Sequence, residues 1–189
     1  MLEKKCAAYD LFSAKRILDN LGIKSWLTLG TCLGAFRDHD FCEADWDDSD
    51  MGVDISDFAR WPEISKAFMK AGFIAKLYLP ADGLCSEGSF TKRYGNFKTK
   101  VDLFFYTPNP NNPNEVMWRF YANDEATVYK TKAIAAKFHY NFKEIEFYGE
   151  KYLIPLEIED YLTANYGDWK TPIHRSDWNW YNDNKSKDV

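Results

Sequence analysis

Apolar residues recur at helical spacing over residues 4–20, and Leu21 and Gly22 then supply the signal that ends a helix. The pattern next changes to short runs of β-branched and aromatic residues between turn signals, which predict strands. Helical spacing returns over residues 57–71 and 155–165. The predicted strands cover residues 25–29, 49–55, 73–79, 89–94, 99–106, 117–121 and 127–130, with a short helix over 30–37 and a hairpin over 142–154.

Two local signals refine this prediction. Asp57 stands where we expect the N-cap of the helix over residues 57–71, because its carboxylate can accept the first free N–H groups. Residues 107–114 read T-P-N-P-N-N-P-N, a composition that predicts a turn-rich loop. The order of elements predicts an α/β (α+β) fold with a mixed sheet flanked by helices, in a single domain over residues 1–189.

The charge balance and the cysteines narrow the functional classes. The chain carries 24 basic and 29 acidic side chains, a formal net charge of -5. A field of this sign repels polyanions, so we expect no nucleic-acid partner. We see no signal-peptide core and no apolar window of about 18 residues, so we expect no membrane span. The four cysteines lie far apart without a C-x-x-C pair, which disfavours zinc and favours a reduced, cytoplasmic protein.

The strongest chemical signal is the run D-W-D-D-S-D-M-G-V-D over residues 45–54. A solvated acidic loop is one interpretation of this run. Asp48 and Asp50, however, stand two residues apart where a predicted strand begins, so their side chains point to the same side. Carboxylates that converge in this way repel each other unless a cation neutralises them. Hard oxygen ligands favour Mg²⁺ or Mn²⁺.

Asp102 supplies a third carboxylate from an apolar run, residues 100–106, that predicts a buried strand. A lone acid in such a strand is costly to bury. Either Asp102 is paired with a cation such as Lys100, or it binds the same metal as Asp48 and Asp50, and we favour the metal. Lys100 is also a candidate to counter phosphate charge, with ordinary solvation as the alternative.

A phosphate site is predicted upstream, where a strand runs into Gly30 and Thr31 at the start of a helix. Free backbone N–H groups at a helix N-terminus suit an anion, and glycine allows a close approach to the backbone. Arg37, one to two turns later, can contact phosphate with two parallel hydrogen bonds. The alternatives are a simple helix start for Gly30 and Thr31, and a surface ion pair for Arg37.

As an ordered set, these motifs resemble the LicD/fukutin family of the nucleotidyltransferase superfamily. The matching segments are G-T-x-L-G-x-x-R over residues 30–37, Phe41, D-x-D-x-G over 48–52, V-D-L-F-F over 101–105, and F-Y-G, I-P, Y-L and Y-G-D-W over 147–169, followed by Pro172. Two details differ from the family pattern. The loop before D-x-D is one residue longer, and W-D-D-S replaces W-D-D-D, so Asp47 competes with Asp48 as the first metal ligand. We keep Asp48 because its spacing to Asp50 fits.

The resemblance implies a nucleotidyltransferase-like fold and a transferase that moves a phospho-alcohol, such as phosphocholine or ribitol phosphate. The donor would be CDP-linked, and the acceptor would be a hydroxyl of a glycan or another small molecule. Asp48 and Asp50 would bind the metal and the donor diphosphate, while Asp102 completes the site and helps to deprotonate the acceptor. The substrate-binding residues that it implies are Gly30, Thr31, Gly34, Arg37 and Lys100.

Two other functions stay open at this point. A nucleotidyltransferase that moves NMP from an NTP would use the same metal site but release pyrophosphate. A catalytically inert binding module would keep the fold without the chemistry. Near the C-terminus, aromatic residues either stack on a base or sugar or hold the tail against the core, and we favour the second. These residues are Trp169, Trp178, Trp180 and Tyr181.

Overall fold

The computed structural model describes residues 2–43, 45–80, 82–83, 87–121, 123, 125, 127–173 and 184–189. The helices within these residues are α1 (Leu2–Asn20), α2 (Leu29–Arg37), α3 (Trp61–Lys70) and α4 (Ile158–Tyr166), with 3-10 helices at Ile55–Arg60 and Ala136–His139. The strands are β1 (Trp26–Leu27), β2 (Asp48–Asp54), β3 (Ile74–Tyr78), β4 (Glu87–Tyr94), β5 (Phe97–Asn109), β6 (Asn112–Tyr121), β7 (Tyr129–Ala135), β8 (Phe142–Phe147), β9 (Glu150–Pro155) and β10 (Lys187–Asp188).

Eight of these strands form one mixed sheet with the long strand β5 in its interior. Along its first part β5 pairs in parallel with β2 and, on the other edge, antiparallel with β4. Its last residues pair with β6, and the sheet continues to β7 and β10. β1 extends the sheet beyond β2, β3 pairs with β4, and β8 and β9 form a separate hairpin. The predicted mixed sheet flanked by helices is confirmed.

The alternation of side chains along β5 separates the core from the cavity face. Val101, Leu103 and Phe105 are buried on the helical face, where Phe105 packs edge-on against Phe58 and against the α3 residue Trp61. Asp102 and Phe104 have the opposite parity and line a cavity. Because neighbouring residues of a strand point to opposite faces, one short segment supplies both the core and the candidate site.

A buried carboxylate fastens α1 to the helical face of the sheet. Asp10 is fully buried and accepts hydrogen bonds from Tyr94 Oη at 2.8 Å, Thr99 Oγ1 at 2.6 Å and Lys92 Nζ at 3.2 Å. Three donors satisfy most of the acceptor capacity of a carboxylate, so its burial is compensated. Asp10 therefore orients α1 and is separate from the chemistry on the other face.

Gly52 has a packing role in the pairing of β1 with β2. It lies opposite Trp26, and a Cβ atom at this position would lie 2.4 Å from atoms of the indole ring. Such a distance is far inside van der Waals contact, so a larger residue would displace the ring or the strand. The glycine of the D-x-D-x-G motif thus lets Trp26 cover β2 directly beside the aspartates.

Two local predictions were wrong. The segment expected as a loop over residues 107–114 is mostly strand, with a turn at residues 110–111 and a register irregularity between Pro108 and Asn109 that accommodates proline. Asp57 is not an N-cap of α3, because that helix begins at Trp61. The capping aspartate in this region is Asp54, which caps the preceding 3-10 helix. Its Oδ1 accepts a hydrogen bond from Ser56 N at 2.8 Å.

Candidate active site

The parallel register of β2 and β5 brings the three predicted aspartates together. Asp48 pairs with Lys100, and Asp50 pairs with Asp102. Each of Asp48, Asp50 and Asp102 offers a carboxylate oxygen that lies within 4.8 Å of the others. Asp47 is outside this group, so the structure favours Asp48 as the first ligand. The aspartate run is therefore a converging cluster, and the solvated-loop interpretation is wrong for Asp48 and Asp50.

Burial and the charges of neighbouring aspartates raise the pKa values of Asp48 and Asp50. Burial, followed by the charge of Asp102, raises the pKa of Asp48 to about 8. Burial, followed by the charge of Asp48, raises the pKa of Asp50 well above its ordinary value. Both shifts mean that the ionised carboxylates lack sufficient positive charge around them. A divalent cation would supply this charge.

The donor set fits a hard divalent cation. Asp48 Oδ1 and Asp102 Oδ1 are buried, and neither has a hydrogen-bond partner. A buried carboxylate oxygen without a partner costs free energy, which coordination to a metal would recover. An all-oxygen set of three carboxylates suits Mg²⁺ or Mn²⁺ and does not suit softer metals.

Lys100 lies inside the cluster and makes the ion pair with Asp102 that the sequence left open. Its Nζ lies 2.7 Å from Asp102 Oδ2 and 2.9 Å from Asp48 Oδ2. Burial alone would lower the pKa of Lys100, but the attraction of Asp102 and Asp48 outweighs burial and raises it. Lys100 is therefore a fixed cation at the cluster, and ordinary solvation does not describe it.

The N-terminus of α2 holds Asp50 in place. The N–H groups of Gly30 and Thr31 donate to Asp50 Oδ2 at 3.0 and 3.4 Å, and Asp50 N donates to Thr31 Oγ1 at 2.7 Å. The two N–H groups that we expected to face phosphate thus face a metal-ligand candidate. At Gly30 a Cβ atom would lie 2.7 Å from Asp45 Oδ2, so a larger residue here would require the Asp45 side chain to move.

Two of the expected phosphate contacts are differently arranged. Gly34 is buried against the loop after α2, where a Cβ atom would lie 2.6 Å from the carbonyl oxygen of Asp40, so it packs the helix and is outside the cavity lining. Arg37 lines the cavity, but its Nε and Nη2 donate to Asp38 at 2.8 and 2.7 Å. The ion-pair alternative is the one that the structure shows for Arg37.

The carboxylate cluster opens into a cavity of about 380 Å³, a size typical of small-molecule sites. Trp169 of the C-terminal aromatic group lines it and packs against Phe36, with ring centroids 5.7 Å apart. Trp178, Trp180 and Tyr181 lie outside the described residues. The charged lining is formed by Arg37, Asp45, Asp48, Asp50, Glu87, Lys100, Asp102 and Asp168, and the apolar lining includes Leu29, Leu33, Phe104, Phe120, Tyr166 and Trp169.

Glu87 is a cavity residue that the sequence reasoning missed. It lies on β4 with 7% of its surface exposed, and it shares the face of Ser89, which pairs with Asp102. Burial, followed by the charge of Asp102, raises the pKa of Glu87 well above its ordinary value. In the sequence, the one indication of a role for Glu87 is that it is acidic and stands two residues before Ser89, at the start of a strand. Only the pairing of β4 with β5 shows that it lies beside the carboxylate cluster.

The model of the family described as "LicD/FKTN/FKRP, nucleotidyltransferase domain" matches residues 22–157, which include every residue of the carboxylate cluster. The chain belongs to this family. This match confirms the family resemblance that the ordered motifs indicated. Among the described residues of this LicD-family chain, no helix is both long and apolar enough to cross a bilayer.

The chain is also similar to curated proteins named as ribitol-5-phosphate transferases. It is 33% identical over 179 residues to "Ribitol-5-phosphate transferase FKTN" of Mus musculus and 32% identical over 181 residues to the protein of the same name from Homo sapiens. These alignments cover 94% and 93% of this chain. They cover 36% and 35% of the relatives, so the chain spans about a third of their length.

Proposed function

We propose that this LicD-family chain is a metal-dependent transferase that moves a phospho-alcohol from a CDP-activated donor to a hydroxyl group of a glycan or another acceptor. The observation that carries the proposal is the convergence of Asp48, Asp50 and Asp102 at the cavity. Family membership and the ribitol-5-phosphate transferase names of the relatives support it. The cytoplasmic location expected from the sequence stays a prediction.

In this proposal Asp48, Asp50 and Asp102 would hold Mg²⁺, whose positive charge would offset the negative charge of the donor diphosphate and of the leaving group. The acceptor oxygen forms a new bond to the phosphorus that carries the alcohol. The bond from this phosphorus to the bridging oxygen breaks, and CMP leaves with that oxygen. The hydroxyl proton is released to a base, a role that we assign to Asp102.

The other residues of the cavity position the reactants and exclude water. Lys100 adds a positive charge within 2.9 Å of two carboxylates, where it can also attract a donor phosphate. The apolar lining, which includes Phe104 and Trp169, limits the access of water to the activated phosphorus. Hydrolysis of the donor is thereby disfavoured relative to transfer.

The test combines binding and product analysis. Thermal unfolding with Mg²⁺ would be compared for CDP-ribitol, CDP-choline, CMP and the common NTPs, in the native protein and in Asp50→Asn. Stabilisation by a CDP-alcohol, and release of CMP as the phospho-alcohol is transferred to a glycan acceptor, support the proposal when both are lost in Asp50→Asn. Pyrophosphate release from an NTP without turnover of CDP-alcohols would replace it with nucleotidyl transfer. Magnesium-independent behaviour with every ligand would reject it.

A further inference from the structure

Three buried hydroxyl groups meet behind the cavity wall. Thr28 Oγ1 lies 2.7 Å from Tyr106 Oη and 2.8 Å from Tyr161 Oη. Tyr161 is on α4, while Thr28 and Tyr106 are on the connection from β1 to α2 and on β5. The side chains are buried, and none of the three lines the cavity. The cluster therefore ties the C-terminal helix to the segment that carries the site without contacting a substrate itself.

The hydroxyl of Tyr161 also accepts a hydrogen bond from the first turn of α2. Thr28 occupies the N-cap position but makes no side-chain capping bond. The N–H of Leu29 donates to Tyr161 Oη at 3.0 Å instead. Leu29 has a φ of 44°, a left-handed conformation that is unfavourable for leucine and must be held by its surroundings. Tyr161 thus replaces a local cap at a strained turn.

The residues that follow this turn are the ones that hold Asp50. The N–H groups of Gly30 and Thr31 donate to Asp50 Oδ2, and Thr28 N donates to the carbonyl oxygen of Asp50 at 3.2 Å. A rotation at Leu29 would move the N–H groups of Gly30 and Thr31 together relative to Thr28, because both belong to the first turn of α2. The orientation of the Asp50 carboxylate therefore depends on the turn that Tyr161 secures.

We propose that Tyr161 is a positioning residue that orients Asp50 for metal binding through the first turn of α2. The effect on metal binding rests on the proposed function, because it requires Asp50 to be a metal ligand. Its structural part, the control of the N–H groups of Gly30 and Thr31, is independent of any metal. Outer-shell partners of metal ligands are known to change metal affinity about 10–100-fold when they are removed.

The first test is amide hydrogen exchange in Tyr161→Phe. Loss of the hydroxyl leaves Leu29 N–H without its partner and removes one of the two contacts of Thr28 Oγ1, so we expect the amides of Gly30 and Thr31 to exchange about tenfold faster. Tyr94→Phe is the matched control. It also removes a hydrogen-bonded tyrosine hydroxyl, but this hydroxyl donates to Asp10 and makes no contact with the turn at Leu29. Unchanged exchange at both amides in a folded Tyr161→Phe protein would overturn the inference.

The second test is Mg²⁺ affinity by calorimetry, which a purely structural role would not change. We expect Tyr161→Phe to bind Mg²⁺ about tenfold more weakly, while Tyr94→Phe retains the native affinity. If Tyr161→Phe does not fold, Thr28→Val removes the shared hydroxyl and Thr28→Ser restores it, and the affinity should follow the hydroxyl. Equal affinities in this pair contradict the inference. A native protein that binds no Mg²⁺ rejects the proposed function, whereas the exchange data still decide the role of Tyr161.

Discussion

Asp50 on β2 lies directly opposite Asp102 on β5 in the parallel pairing of the two strands. Side chains at paired positions point to the same face, so neither carboxylate can move away without disturbing the sheet. The strand register therefore keeps the two carboxylates close enough to repel each other. Lys100 offsets part of this repulsion, while burial, followed by the charges of neighbouring aspartates, raises the pKa values of Asp48 and Asp50.

Asp50→Asn should separate metal binding from folding. The substitution keeps an acceptor for the N–H groups of Gly30 and Thr31 and removes one of the repelling charges, so the metal-free protein should unfold at an equal or higher temperature. Stabilisation by Mg²⁺, about 2.7 kcal/mol at a hundredfold excess over Kd, should disappear. Thermal unfolding with and without Mg²⁺ measures both effects.

Asp54→Asn is the control for this comparison. Asp54 is on the same strand with the same parity as Asp50, but it is exposed and caps the 3-10 helix. Its substitution should leave the magnesium response unchanged. Retention of the response in Asp50→Asn would remove Asp50 from the ligand set, and its loss in Asp54→Asn as well would show that the effect is not specific to Asp50.

Lys100→Met should increase Mg²⁺ affinity and decrease transfer. The ammonium group competes for Asp48 Oδ2 and Asp102 Oδ2, so its removal leaves both oxygens to the metal. The same change removes the positive charge that we propose for the donor phosphate. Calorimetry with Mg²⁺ alone and steady-state assays of CMP release would report the two effects separately. Lys98→Met, an exposed position two residues earlier, should change neither quantity; weaker Mg²⁺ binding in Lys100→Met would show that Lys100 does not compete.

Gly52→Ala should destabilise the protein by about 1–3 kcal/mol, the usual cost of overpacking. The added methyl group would lie 2.4 Å from the ring of Trp26. Denaturant unfolding measures the loss, and the double variant Gly52→Ala/Trp26→Phe supplies the control. Because the smaller ring leaves room for the methyl group, the double variant should lose less than the sum of the single variants. Strict additivity would show that this contact is not the cause.

His139 should make stability depend on pH. Burial lowers the pKa of His139 to about 3, while an unfolded histidine binds a proton below about pH 6.5. Between these values the unfolded state holds more protons than the native state, so stability falls as the pH decreases through this window. The slope from this residue is about 1.4 kcal/mol per pH unit.

His139→Phe should remove this part of the acid destabilisation, because both ring nitrogens of His139 are buried without a hydrogen-bond partner. The measurement is urea unfolding at several values between pH 4 and 7. His39→Asn, at an exposed position with a φ of 53° that asparagine tolerates, is the control and should keep the native pH dependence. Parallel pH profiles for His139→Phe and the native protein would contradict the assignment.

The sequence by itself determined the elements and the metal-ligand candidates. Helical and alternating periodicity located the main helices and strands, because local geometry fixes which positions of an element are buried. The spacing of Asp48 and Asp50 placed them on one side of a strand, and the apolar run around Asp102 marked it as unusual. The order of the motifs along the chain then indicated the family, since short motifs that are weak alone become specific as an ordered set.

Only the tertiary structure decided which groups meet. The pairing of β4 with β5 brings Glu87 to the carboxylates, the position of α4 brings Tyr161 to Leu29, and the packing of α2 on β2 directs the N–H groups of Gly30 and Thr31 to Asp50. Such contacts join residues that are far apart along the chain, and no local spacing encodes them. Burial then sets the charges of the site, since a carboxylate's pKa depends on the neighbours that the fold places around it.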